Sequence, residues 1–171
     1  MNSCAEDPDC MEDKYLYSFK SQKSHYTYLV WVEKYPYNMY AVKFHLKGHQ
    51  DSPDKYRHMT GANEARPVIF TCIKIMHEFF IQDELSSFGF VGENMLKEED
   101  KSNTKRYKVY SKIVSTFFGS ETFNHFVYDA NSTYLLLRKT EMAKDKSLKK
   151  KIESLFEKNY WWFNDNFPDQ E

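Results

Sequence analysis

Cysteine is too sparse here to staple a fold. Cys4, Cys10 and Cys72 are the only three in the chain, an odd number with no disulfide-framework spacing, so free thiols and a reducing, cytoplasmic setting are the expectation. Cys4 and Cys10 have no further pair at zinc-like spacing, which leaves a metal site without ligands. The six histidines, at 25, 45, 49, 58, 77 and 125, form no His-Glu-x-x-His pair, so no metal is expected. No Gly-x-Ser-x-Gly elbow and no cysteine signature supplies a nucleophile. No apolar run approaches the length of a membrane span, and the first residues are acidic rather than apolar, so neither a membrane anchor nor a secretory leader is expected. Net charge is −1, so bulk electrostatics do not demand a nucleic acid or a membrane surface. No internal repeat is visible.

Aromatic residues, in contrast, are abundant. Fourteen Phe, thirteen Tyr and three Trp make up 18% of the chain. Each buries a large area, so the expectation is a single domain with a bulky aromatic core. Residues 1–13 carry five acids and read as a flexible tail, 14–160 as the domain, and 161–171 as an aromatic and then acidic tail.

Within the domain the hydrophobic period is first two. Tyr15, Tyr17 and Phe19, then Tyr26 to Val32, then Tyr40 to Leu46 alternate apolar and polar positions, as in three strands joined by short hairpins. Residues 48–55 form a polar loop, and 56–59 offer a further short strand. From Asn63, a candidate N-cap, the period becomes 3.6: Val68, Ile69, Cys72, Ile75, Met76, Phe79 and Phe80 share one face, giving a helix to about Asp83. Residues 86–92 read as a short buried strand, 93–103 as a loop, and 104–118 as a second helix ended by Gly119. Strands at 122–128 and 133–139 and a helix from Asp145 to Tyr160 complete the chain. The expected fold class is α+β, a mixed and mostly antiparallel sheet with helices packed on it.

A meander of strands, a turn, a long helix, a short strand, a tyrosine-bearing helix and final strands resemble the core of the GNAT N-acetyltransferases over about residues 15–139. The chain is also similar to small uncharacterised phage and bacterial proteins with a Thr-Gly turn before the central helix and an Arg-x-x-x-Tyr helix later. Here those are Thr60-Gly61 and Arg106 to Tyr110. The resemblance implies an acyl-CoA site at the turn, formed by Thr60, Gly61, Ala62 and Asn63, and a general acid at Tyr110. The family loop reads Arg/Gln-x-x-Gly-x-Gly/Ala. Aligned on Gly61, this chain has His58 in place of Arg or Gln and Asn63 in place of the last glycine or alanine.

Two basic clusters raise a different function. Lys105, Arg106, Lys108 and Lys112, with Tyr107 among them, line the second helix, and Lys149, Lys150 and Lys151 crowd the start of the last one. Cations there oppose the positive end of a helix dipole, so something has to compensate them: solvent, an acidic tail or an external polyanion. Three readings therefore stand. The leading one is a non-catalytic, GNAT-like module acting on a protein partner or as a homodimer, with no cofactor. The others are an acyl-CoA-dependent N-acyltransferase and a nucleic-acid or nucleotide binder using the basic helix.

Overall fold

The computed structural model describes residues 10–53, 55, 64–91, 105–128 and 133–160. The candidate strand at 56–59, the turn Thr60 to Asn63, the loop 93–103 and both outer tails from 161 and before 10 lie outside the described residues.

Six strands form one sheet: β1 (Asp13–Lys20), β2 (Thr27–Tyr35), β3 (Met39–Leu46), β4 (Ser87–Val91), β5 (Phe123–Tyr128) and β6 (Thr133–Arg138). Four helices are α1 (Ala65–Gln82), α2 (Lys105–Phe117), α3 (Lys139–Lys144) and α4 (Leu148–Asn159). The strand order is β1-β2-β3-β4-β6-β5. All neighbours are antiparallel except β3 and β4, the strands that α1 connects. The fold is thus α+β, with a mixed, mostly antiparallel open sheet. Among the described residues no helix is long and apolar enough to cross a membrane.

Strand alternation sorts side chains onto two faces. Tyr28, Val30, Val32, Tyr40, Val42, Phe44, Phe88, Phe90, Tyr134 and Leu136 meet α1 and α2 in a first core. Tyr35, Met39, Ala41, Leu135 and Leu137 meet α4 in a second. Every residue of β6 is buried, which explains its unbroken Tyr-Leu-Leu-Leu run: a strand covered on both faces has no polar side to show. Already before β1, Met11 packs against the second core and the Glu12 amide donates to the Lys34 carbonyl.

The first core is built largely of rings. Phe88 lies 5.8 Å from Phe118 and 6.2 Å from Phe123, while Phe80 reaches both Phe118 and Phe123. Tilted and edge-on pairs at these separations favour ring quadrupoles. The high aromatic content is mainly a packing property.

On the other face, Gly89 lets α4 approach the sheet. A Cβ there would come 2.5 Å from Phe156 Cζ, 2.6 Å from Met39 Cε and 3.0 Å from Leu135 Cδ2. Gly89→Ala is expected to destabilise by about 2 kcal/mol through overpacking, less if the Met39 tip yields. Urea unfolding of the variant checks this, and an unchanged midpoint would mean α4 is not seated there.

Candidate functional site

The parallel pair β3–β4 is the seam between the two halves of the sheet. Its register is short: Met39–Ser87, Tyr40–Phe88 and Ala41–Gly89. β3 continues to Leu46 and β4 to Val91, so the strands part toward their carboxyl ends. In open sheets with parallel strands, a crevice outside such ends is where ligands commonly bind.

Tyr110 comes to this parting from α2. Its ring stacks on Phe90 of β4 at 4.7 Å and lies 6.1 Å from Phe44 of β3. Both partners stand beyond the last paired residues, and Tyr134 also stacks on Phe90 at 5.5 Å. Tyr110 is only 3% exposed. It bridges the two strands where they separate, while Phe156 covers the other face at Gly89. The acyl-CoA turn expected from the sequence, Thr60 to Asn63, lies outside the described residues.

The basic clusters divide. Lys108 and Lys112 are exposed on α2; the side chains of Lys105, Arg106 and Tyr107 lie outside the described set. At α4 the chain supplies its own compensation. Asp145 accepts from the Ser147 amide at 2.9 Å, from the Ser147 hydroxyl at 2.6 Å and from Lys151 Nζ at 2.6 Å. The Lys151 and Ser147 hydrogen bonds hold its carboxyl down at about 2. A carboxylate in front of a helix start offsets both the dipole and the lysines. Lys149 lies 3.5 Å from Glu153 and over the Phe126 ring, and Lys150 is exposed.

Three buried charged groups carry long-range hydrogen bonds that the sequence reading passed over. Glu64, just before α1, turns its carboxylate to the β1–β2 turn and accepts from Ser21 at 2.5 Å, Ser24 at 2.6 Å and Tyr28 at 2.6 Å. Burial pushes its pKa up, but those three hydroxyls and the Lys23 charge outweigh burial and hold it below the ordinary range.

Glu33 on β2 accepts from Lys43 at 2.8 Å and from the hydroxyls of Tyr35 and Tyr160, both at 3.1 Å, with Lys14 at 3.4 Å. Again burial raises its pKa, and Lys43, then Lys14 and Tyr35, more than reverse that. Arg138 closes β6. Its side chain donates to the Ser86 carbonyl at 3.2 Å, the Ser86 hydroxyl at 3.2 Å and the Asp83 carbonyl at 3.4 Å, and it sits over the rings of Phe80 and Phe123. Burial lowers its pKa. Each of the three joins segments far apart in sequence, which is a structural task.

Cys72 is a buried free thiol, as a packing residue should be, whereas Cys10 is disulfide-bonded. The expectation of free thiols throughout is therefore corrected at Cys10. Among the described residues no group of three or more His, Cys, Asp or Glu could hold a metal ion.

Comparison with known proteins adds no relative: no family model, no curated protein and no solved structure matches the chain.

Proposed function

We propose that this chain is a GNAT-like domain that works through protein contacts and performs no acyl transfer. The element order, meander then long helix, short strand, tyrosine-bearing helix and closing hairpin, supports the GNAT-like part. The single observation that carries the non-catalytic part is Tyr110. A general acid has to reach substrate, and this tyrosine is instead buried between Phe44 and Phe90 as packing across the parted strands. The departures of the turn sequence at His58 and Asn63 point the same way, because glycines are what allow backbone amides to approach a pyrophosphate.

A contact surface is available on the helical layer. Phe70 of α1 and Phe117 of α2 are 38% and 50% exposed and meet edge-on at 4.8 Å. Paired exposed rings of this kind are suited to a partner protein or a second copy of the chain.

The test is a thiol-release assay with acetyl-CoA and a panel of amine acceptors. No release above the protein-free blank is the expected result. Turnover that disappears in Tyr110→Phe would replace this proposal by the acyltransferase reading, with Tyr110 as acid.

A further inference from the structure

The β1–β2 turn and the chain leaving β3 face one another across a cleft of about 760 Å3. His25, Tyr26 and Thr27 form one wall, Lys47 and His49 the other, and Leu46 lies between them. Both walls are fixed by their own hydrogen bonds. Ser21 N–H donates to the Tyr26 carbonyl at 2.8 Å and His25 N–H to the Ser21 carbonyl at 3.0 Å. Ser21 and Ser24 are in turn tied to buried Glu64. Across the cleft, Lys47 to His49 make one 3-10 turn, closed by Gln50 N–H on the Lys47 carbonyl at 3.1 Å and continued by Ser52 N–H on the His49 carbonyl at 2.9 Å.

His25 adopts φ 62°, a left-handed conformation that glycine or asparagine would take at less cost. An imidazole is thus held at a position where the backbone alone would favour another residue.

The charge is one-sided. Lys47 and the two imidazoles line the cleft, and the described lining holds no carboxylate. The nearest acid in the turn network, Glu64, accepts from three hydroxyls and is only 2% exposed. Lys23 lies in the same turn, and exposed Asp51 follows two residues after His49. In a protein of net charge −1, this is a local concentration of donors of one sign. Tyr26, 47% exposed, adds a flat ring and a hydroxyl at the mouth.

The geometry points to this cleft as a binding site for a dianionic phosphate group, either inorganic phosphate or the phosphate of a nucleotide. Lys47 supplies a permanent charge, and His25 and His49 supply N–H donors. The inference rests on the cleft alone and is independent of whether the chain transfers acyl groups.

The test follows the imidazole C–H resonances of the full chain in NMR titrations with inorganic phosphate, AMP and adenosine at constant pH. His25 and His49 should shift along one saturable curve with phosphate and with AMP, while His77 on α1 stays still. AMP tighter than phosphate by about tenfold or more would identify a nucleotide source, and equal affinities a free phosphate. Lys47→Glu, on an exposed turn, should weaken binding about tenfold with the melting temperature unchanged. His25→Gly should also weaken binding while leaving or raising stability, because glycine accepts the left-handed backbone. Shifts that do not saturate, that include His77 equally, or that persist undiminished in Lys47→Glu would overturn the site. So would binding of adenosine as tight as that of AMP.

Discussion

Phe156→Ala is expected to destabilise the domain by roughly 3–5 kcal/mol, the range for truncating a fully buried aromatic residue. Phe156 has no exposed surface and sits at the centre of the second core, among Met39, Leu135, Leu137, Ile152 and Leu155. Its ring also stands over Gly89, where there is no side chain to move in and refill the space. The loss should therefore lie in the upper part of the range, and urea unfolding monitored by circular dichroism would measure it. A loss below about 1 kcal/mol is what a surface position gives, and it would mean that α4 does not cover this face of the sheet. Gly89→Ala and Phe156→Ala share one contact, so their costs should not add: the alanine methyl would occupy part of the cavity left by the ring.

Glu33→Ala is expected to cost about 3 kcal/mol at neutral pH, because it strips a carboxylate from two lysines and two tyrosine hydroxyls. Lys14 is 38% exposed at its side chain and can turn to water, but Lys43 at 18% is more enclosed. The pH dependence separates charge from packing. Glu33 has a folded-state pKa below its ordinary value, so its stabilisation is present above the unfolded pKa and is lost as pH falls through the folded one. Glu33→Gln keeps the shape and removes the charge. Its deficit against the parent protein in thermal melts should be clear at pH 7 and should narrow steadily in acid below pH 4. A deficit that stays constant across that range would assign the role of Glu33 to packing alone.

Most of the elements were legible in the sequence because their signals are local. Alternation through Tyr28, Val30 and Val32, and the 3.6-residue period from Val68 to Phe79, marked β2 and α1 without any knowledge of their neighbours. The start of α4 was read three residues early, at Asp145. That residue does serve the helix start, through Ser147, but from outside it, and Leu148 is the first helical residue. The six residues of α3 were missed, since a single turn and a half carries too few apolar positions to show a period.

What could not be read was non-local. Glu33 and Glu64 looked like ordinary polar positions. Only the arrival of Tyr160, 127 residues away, on one and of the β1–β2 turn, 43 residues away at Ser21, on the other makes them buried hubs. The parting of β3 from β4 and the place of Tyr110 across it depend on the pairing of strands separated by a whole helix. The basic run at 149–151 called for compensation by solvent, an acidic tail or an external polyanion, and the structure shows Asp145 and Glu153 beside two of its lysines. The cleft between His25 and Lys47 had no motif to announce it, because its walls meet only when β2 and β3 pair.

The account turns on the parted strands being filled by packed side chains rather than held open for a cofactor. Thermal melting of the purified chain with and without a large excess of acetyl-CoA tests that directly, since a ligand at about 100 times its dissociation constant would add about 2.7 kcal/mol to stability. The account predicts that acetyl-CoA raises the melting temperature no more than an equal excess of AMP does, and by the same amount in the parent protein and in Tyr110→Phe. A rise of several degrees in the parent protein, reduced in Tyr110→Phe, would contradict it and make the parted strands an acyl-CoA site.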